Sequence, residues 1–358
     1  MIAPGETIGI LGGGQLGRMM AFAAARLGYR VHIFAPEADS IAAEVCSRFT
    51  CADYTDEAAL ARFAADCAVI TYEFENVPVA PLAAVGATPL LPHPRALETA
   101  QDRLNEKRFV SELGGRPAPF MAVDGGAANP MGDLARAVAE IGTPGILKTR
   151  RDGYDGKGQW RIKSEADLAG LDLPPQALIY EGFVTFFAEF SVILARAADG
   201  SVQFWDSAEN VHVNGILDTS TVPASAGIAA QVPQARALAQ KVAEALDYVG
   251  VLTLEFFATE DGPVFNEMAP RVHNSGHWTI EGAITSQFEN HIRAVCGLPL
   301  GLTTLAVPGA RMLNLIGDDA HDWPKILSDP ANHLHLYGKA AARPGRKMGH
   351  VTRLKLEA

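Results

Sequence analysis

An α/β protein built from three linked portions is the fold class that the sequence predicts, on three observations. Strand and helix signals alternate through the first hundred residues, paired strands around a glycine-rich loop follow, and short strands close the chain. At 358 residues it exceeds one ordinary domain, and 48% hydrophobic against 20% charged residues supplies several cores.

Short apolar strands are expected at 8–11, 31–35 and 68–72, with a helix at 15–27. Strands alternating with helices imply a parallel sheet whose ligands bind at the strands' carboxyl ends. One helix is expected over 96–113, broken by Gly114, Gly115 and Pro117. Strands at 145–149 and 177–180 flank the glycine-rich loop, and those at 189–196 and 201–205 pair across a turn at Asp199-Gly200. A helix at 233–246 precedes a hairpin over 251–268, and strands at 311–316 and 333–337 lie in the tail.

The formal net charge of -11 argues against non-specific binding to nucleic acid or an anionic membrane. No apolar run approaches membrane-spanning length, and the N-terminus lacks a secretory signal pattern. Four cysteines without C-x-x-C spacing suggest neither a disulfide scaffold nor a thiolate metal site, so a cytoplasmic protein is expected. The distribution of charge refines its average. Six of the 30 Lys and Arg lie in 148–163 and six in 339–355, the latter with no Asp or Glu. Such clustering suits small anions.

Gly12-Gly13-Gly14-Gln15-Leu16-Gly17 satisfies G-x-G-x-x-G between a strand and a helix, a place where backbone N–H groups and the helix dipole favour phosphate. It suits a dinucleotide or a monophosphate. The second strand, however, runs into Ala35-Pro36 where a ribose-binding acid would stand. Glu73, Glu75 and Asn76 end the next strand signal, again at a carboxyl edge.

Lys148 ends an apolar strand and is followed by Gly153, Tyr154, Asp155, Gly156, Lys157, Gly158 and Gln159. Three glycines in seven around a lysine describe a lid for a triphosphate, without the G-K-[ST] of a Walker loop. In the hairpin, a three-residue loop of Glu260, Asp261 and Gly262 would set Glu255 opposite Glu267 on one sheet face. Facing carboxylates repel unless a cation lies between them, and Mg²⁺ favours carboxylates together with substrate phosphates. Arg271, His273 and Asn274 follow, able to clamp and orient an oxyanion.

Taken together these residues resemble the ATP-grasp superfamily, and within it the 5-(carboxyamino)imidazole ribonucleotide synthases of purine biosynthesis. The likeness runs through 12–18, 72–76, 153–159, 266–278 and 343–350. Biotin carboxylases and ribonucleotide formyltransferases share single motifs; the loop, the 271–278 segment and the tail together narrow it. Asp152, where relatives often carry Gly, is a small departure. The resemblance implies an ATP-grasp fold: an N-terminal Rossmann-like domain over 1–105, an ATP-grasp domain over 106–300 and a small C-terminal domain over 301–358.

By resemblance, Arg103 and Lys148 meet ATP phosphates under the 153–159 loop. Glu181, Gly182, Phe183 and Val184 form the adenine hinge, Glu189 accepts from the ribose, and His212 completes the nucleotide site. Glu255 and Glu267 match Mg²⁺ ligands, with Asn266 beside them. Gly14, Gln15, Glu73, Lys339, Arg346 and Lys347 face the ribotide, and Arg271, His273, Asn274 and Lys347 the reacting groups. The implied enzyme is a homodimeric carbon–nitrogen ligase that uses ATP and bicarbonate to carboxylate 5-aminoimidazole ribonucleotide through carboxyphosphate. A ligase activating another carboxylate, a nicotinamide oxidoreductase and a non-catalytic nucleotide module are the alternatives.

Overall fold

The computed structural model describes residues 1–151 and 158–357. Among these residues the strands form three sheets. The first is parallel: β1 (Thr7–Leu11), β2 (Arg30–Ala35), β3 (Arg48–Cys51) and β4 (Val69–Tyr72), in the order β3-β2-β1-β4. The strand order reverses at β1, the switch point where parallel sheets open a ligand crevice. The Gly12 loop and Glu73 sit at the carboxyl ends of β1 and β4 and so meet there. The helix Gln15–Arg26 buries Leu16, Met19, Met20, Ala23 and Ala24, a three-to-four-residue spacing that puts one face on the sheet.

A second, antiparallel sheet contains β5 (Phe120–Asp124), β6 (Gly145–Thr149), β7 (Gln159–Ile162) and β8 (Ala177–Gly182), ordered β5-β8-β6-β7. The helix Pro130–Ile141 backs it through Leu134, Ala137 and Val138.

The third sheet joins β9 (Ala188–Arg196), β10 (Val202–Phe204), β11 (Ala208–Val213), β12 (Ile216–Val222), β13 (Gly250–Thr259), β14 (Gly262–Ala269), β15 (Gly309–Ile316), β16 (Asn332–Leu336) and β17 (Lys347–Lys355). The tail strands extend it through the β12–β15 pairing rather than forming a sheet of their own. Alternation along β9 divides its two faces. Phe190, Val192 and Leu194 pack in a core with Ala235, Ala239 and Val242 of the helix Val232–Ala245, while Glu189 and Ser191 face the other way.

Two expectations need correction. The helix expected over 96–113 is two, Arg95–Ala100 and Arg103–Glu112. Asp102 interrupts it: its Oδ1 accepts from the Leu104 and Asn105 N–H groups at 3.0 and 3.2 Å, an N-cap that starts a new helix. Arg150 then grips the same carboxylate at 2.7 and 3.0 Å. The hairpin tip has two residues, not three: Thr259 pairs with Gly262, leaving Glu260 and Asp261. That arrangement alone would misalign the carboxylates. A bulge at Asn266 absorbs the difference and brings Glu255 opposite Glu267.

His291 ties the first sheet to the third. Its Nδ1 accepts from the Val251 N–H at 3.1 Å, so Nε2 donates to Thr71 Oγ1 at 2.8 Å. Burial pulls its pKa down to about 4. A folded value below the unfolded one makes stability full above about pH 6.5 and lost as pH falls toward 4, by about 1.4 kcal/mol per unit. Between pH 6 and 4.5, urea unfolding should therefore be less pH-dependent in His291→Gln by about that slope; equal slopes would discard this account. Among the described residues no helix is long and apolar enough to cross a membrane.

Candidate functional site

At the switch point, the Gly14 N–H donates to Glu73 Oε1 at 2.7 Å. Glycine is required nearby: Gly12 has φ +119°, and a Cβ there would stand 2.5 Å from Glu73 Cγ. Gly12→Ala should therefore destabilise the loop, by on the order of 1–3 kcal/mol of strain; an unchanged melting temperature would reject it. Burial pushes the Glu73 carboxyl up against the pull of Gly14, Arg271 and Lys339. Gln15 opens the first helix from the N-cap Gly14. Because the Gly14 amide is committed to Glu73, Gly14 contributes shape rather than a phosphate-binding N–H.

The tail closes over this crevice. Gly338 packs beside Glu44 and Arg18, and Lys339 Nζ donates to the Lys347 carbonyl at 2.7 Å. Arg346 reaches back to the Ala341 carbonyl at 2.9 Å. Lys339 thus approaches the crevice closely enough to pull on the Glu73 charge, where the sequence anticipated an anion.

On the second sheet, Lys148 of β6 donates to Glu181 of β8 at 2.8 Å, and Lys107 approaches the same oxygen at 3.4 Å. Burial opposes the charge on Glu181, yet Lys107, Lys148 and Arg103 win and hold its carboxyl down at about 2. Burial lowers the Lys148 ammonium, and the like charges of Lys107 and Arg103 add to it despite Glu181. A polyphosphate would relieve that repulsion.

Gly182 ends β8 and Phe183 and Val184 follow, with the Gly182 and Phe183 N–H groups already given to the Pro119 and Pro144 carbonyls. Gln159 pairs with Lys148 at the start of β7, and Gly158 has φ +67°. Gly153, Tyr154, Asp155, Gly156 and Lys157, the rest of the anticipated lid, lie outside the described residues.

The facing pair lies between these two places. Glu255 is buried and accepts from His273 Nε2 at 2.9 Å. Burial would raise its pKa, but the hydrogen bond from His273 and the neighbouring His212 and Arg271 hold its carboxyl below the ordinary value. Glu267, with its side chain 42% exposed, meets Arg103 at 3.1 Å. Arg103 thereby joins the carboxylate pair to the cation cluster. His212 Nδ1 lies 2.7 Å from Glu189 Oε2. Burial disfavours its charge, but Glu189, Glu255 and Glu267 raise its pKa above the ordinary value.

Arg271 pairs with Glu75 at 2.7 Å. Both amide atoms of Asn274 are buried without a hydrogen-bond partner among the described residues. Buried polar groups are normally satisfied, so an orphaned amide points to a ligand.

Sequence reasoning missed several contributors. Lys107 gave no signal on its helix, yet its Nζ touches Glu181 and the bulge carbonyl of Asn266 at 3.0 Å. Glu106 accepts from the Met268 N–H at 2.6 Å, and burial raises its pKa to about 8. Glu75 was visible beside Glu73, but only the fold shows that it holds Arg271.

Three family models cover most of the chain. The ribonucleotide synthetase preATP-grasp domain matches residues 5–101, the ATP-grasp domain 108–288 and the phosphoribosylaminoimidazole carboxylase C-terminal domain 310–357. The N5-carboxyaminoimidazole ribonucleotide synthase of Brucella melitensis is 53% identical, with 99% of this chain and 98% of that protein covered. The Bacillus subtilis protein of the same name is 43% identical over 99% and 93%. Among solved structures, an ADP complex of an N5-carboxyaminoimidazole ribonucleotide synthetase superposes with a TM-score of 0.93 at 40% identity, covering 100% of this chain and 94% of the other. An Aspergillus clavatus N5-carboxyaminoimidazole synthase in complex with ADP and 5-aminoimidazole ribonucleotide gives 0.89 at 31% identity, over 98% and 94%.

Proposed function

The chain belongs to the N5-carboxyaminoimidazole ribonucleotide synthase family, and we propose that it carboxylates the exocyclic amine of 5-aminoimidazole ribonucleotide, using ATP and bicarbonate. The observation that carries this reading is the continuity of the site: three cations around Glu181 connect through Arg103 to the facing Glu255 and Glu267. The expected products are N5-carboxyaminoimidazole ribonucleotide, ADP and phosphate.

Lys148 and Arg103 bind the phosphates of ATP. The adenine lies against 181–184, and Glu189, oriented by His212, accepts from the ribose. Glu255 and Glu267 are the residues that would hold Mg²⁺. Their chemistry fits: one oxygen of each is engaged, by His273 and Arg103 respectively, which leaves one oxygen of each for a cation. No larger cluster of ligands stands among the described residues, as suits a cation whose shell is completed by phosphate and water. When bound, Mg²⁺ would withdraw charge from the transferring phosphoryl group.

Bicarbonate is a poor electrophile until phosphorylated, and carboxyphosphate is the activated form. Arg271, His273 and Asn274 hold and orient this anion, the orphaned Asn274 amide supplying both a donor and an acceptor. Glu73 and the Gly12 loop shape the ribotide pocket, and Gln15, Lys339, Arg346 and Lys347 approach its phosphate. The commitment of Gly14 to Glu73 disfavours the nicotinamide reading, because a carboxylate stands where a pyrophosphate would need N–H groups. Two chains associate as a homodimer in this reading, which light scattering in solution would measure.

An ADP-release assay with ribotide and bicarbonate omitted in turn tests the reaction. Full release requires both, and release indifferent to either would refute it. Lys347→Ala should raise KM for the ribotide about ten- to a hundredfold, as expected for losing one charged phosphate contact worth about 1.5–3 kcal/mol, with KM for ATP little changed. Equal changes in both would remove Lys347 from the ribotide site.

A further inference from the structure

Behind His273 runs a line of buried hydroxyl and amide groups that the reaction does not call on. Ser220 Oγ lies 2.8 Å from Asn210 Oδ1, and Asn210 Nδ2 lies 2.8 Å from Ser191 Oγ. Ser191 Oγ lies 2.6 Å from Ser275 Oγ, itself 2.8 Å from His273 Nδ1. The line crosses β12, β11 and β9 on the face that carries Glu189 and Glu255. Ser191, Ser220 and Ser275 are wholly buried and Asn210 nearly so.

The direction of every proton follows from one backbone group. The Ser275 N–H donates to His273 Nδ1 at 3.3 Å, so Nδ1 is an acceptor. The Ser275 hydroxyl must then donate to Nδ1 as well, which obliges it to accept from Ser191. Ser191 in turn accepts from the Asn210 amide, whose oxygen accepts from Ser220. The single ring proton of neutral His273 is left on Nε2, directed at Glu255 Oε1 at 2.9 Å. A hydroxyl alone can turn round, but a chain anchored by an N–H at one end and an amide in the middle runs one way. Four buried polar side chains are costly unless every member is paired, and here each finds its partner.

We propose that Ser275, Ser191, Asn210 and Ser220 are positioning residues that lock His273 as its Nε2–H tautomer, a hydrogen-bond donor toward the reacting groups and Glu255. In that state Nε2 cannot accept a proton from bicarbonate or the ribotide amine, so the ring orients and polarises rather than acting as a base. The lock is a property of the chain itself; its effect on turnover rests on the placement of His273 at bicarbonate given above.

Protein carrying ¹⁵N-labelled histidine rings, measured without ligands, tests the lock, with His273→Gln identifying the relevant signals. The wild type should show one protonated-type nitrogen, assigned to Nε2, and one acceptor-type nitrogen. Asn210→Asp keeps the shape but can only accept from Ser191, which reverses the chain and removes the hydroxyl donor from Nδ1. Its His273 signals should move toward each other as the tautomers mix, and Ser275→Ala should do the same. Ser275→Thr, which retains the hydroxyl, should keep the wild-type pattern. In turnover, Asn210→Asp should lower kcat about tenfold, as loss of an outer partner does, with KM for ATP unchanged.

Ring signals unchanged in both Asn210→Asp and Ser275→Ala would overturn the proposal. A rise in KM for ATP matching the fall in kcat would reject positioning in favour of a general role in folding. Should the signals mix while bicarbonate kinetics stay at the wild-type level, the lock stands and the placement of His273 at bicarbonate falls.

Discussion

Glu267→Gln is expected to abolish Mg²⁺-dependent turnover, with kcat reduced at least about a hundredfold, beyond the range seen when only an outer partner of a metal ligand is lost. The amide keeps the size of the side chain and can still accept from Arg103, so shape is conserved while a negative charge disappears. Two carboxylates attract a divalent cation more strongly than one, and the surviving Glu255 already gives one oxygen to His273. Glu267 is partly exposed, so the fold should tolerate the change. Raised Mg²⁺ should restore part of the rate. The measurement is ADP release against Mg²⁺ concentration; a titration superimposable on that of the wild type would sink the assignment of this pair.

Lys148→Met is expected to be nearly as damaging, through the other half of the site. Methionine fills a similar volume, and Lys107 remains beside Glu181 to keep that carboxylate compensated. What disappears is a desolvated ammonium on β6, at the proposed nucleotide site. In a water-poor site one lost charged donor costs on the order of a hundred- to a thousandfold in rate, so kcat/KM for ATP should fall by that much. Calorimetric binding of ADP should weaken in parallel while thermal stability changes little. ADP affinity within about threefold of wild type, a difference below about 0.7 kcal/mol, would show that Lys148 serves only to hold Glu181.

What the sequence made legible was local chemistry. The Gly12 loop, Lys148 at a strand end and the two acids of one hairpin each carry a short-range signal: a spacing, a turn residue or an alternation. The crevice at β1 and β4 was legible too, because parallel strands place their ligands by rule. What stayed hidden depends on partners distant in the chain. Glu181 was expected only as part of the hinge, yet its side chain compensates two lysines, one of them 74 positions away. Nothing in the neighbourhood of Lys107 marks it, since a lysine on a short helix is ordinarily a solvated one. Ser191, Asn210 and Ser220 carried no signal of their own, and β11 and β12, which hold two of them, were not anticipated; only the fold shows where they lead. Asp102 displayed the chemistry of a cap, but the apolar spacing on either side concealed the break.

The bulge at Asn266 has a consequence for how this hairpin can change over time. Inside it, Thr253, Leu254 and Glu255 pair with Ala269, Met268 and Glu267; outside it, the strands run to their own tip in an alignment offset by one residue. The inner alignment is anchored by neighbours far from the turn: β9 along one edge and the Glu106 carboxylate on the Met268 N–H. The outer part is tied separately, by Arg116 to the Gly262 carbonyl and by Gln231 to that of Thr259. The tip can therefore lengthen or carry a fused reporter between Glu260 and Asp261 without moving the acids. Deletion of Asn266 alone would merge the two frames yet leave Glu267 opposite Glu255, because Glu267 would then follow Phe265 directly; what would be lost is the carbonyl that Lys107 holds. The hairpin is thus modular at its tip, while what the bulge adds at the other end is a hold for Lys107.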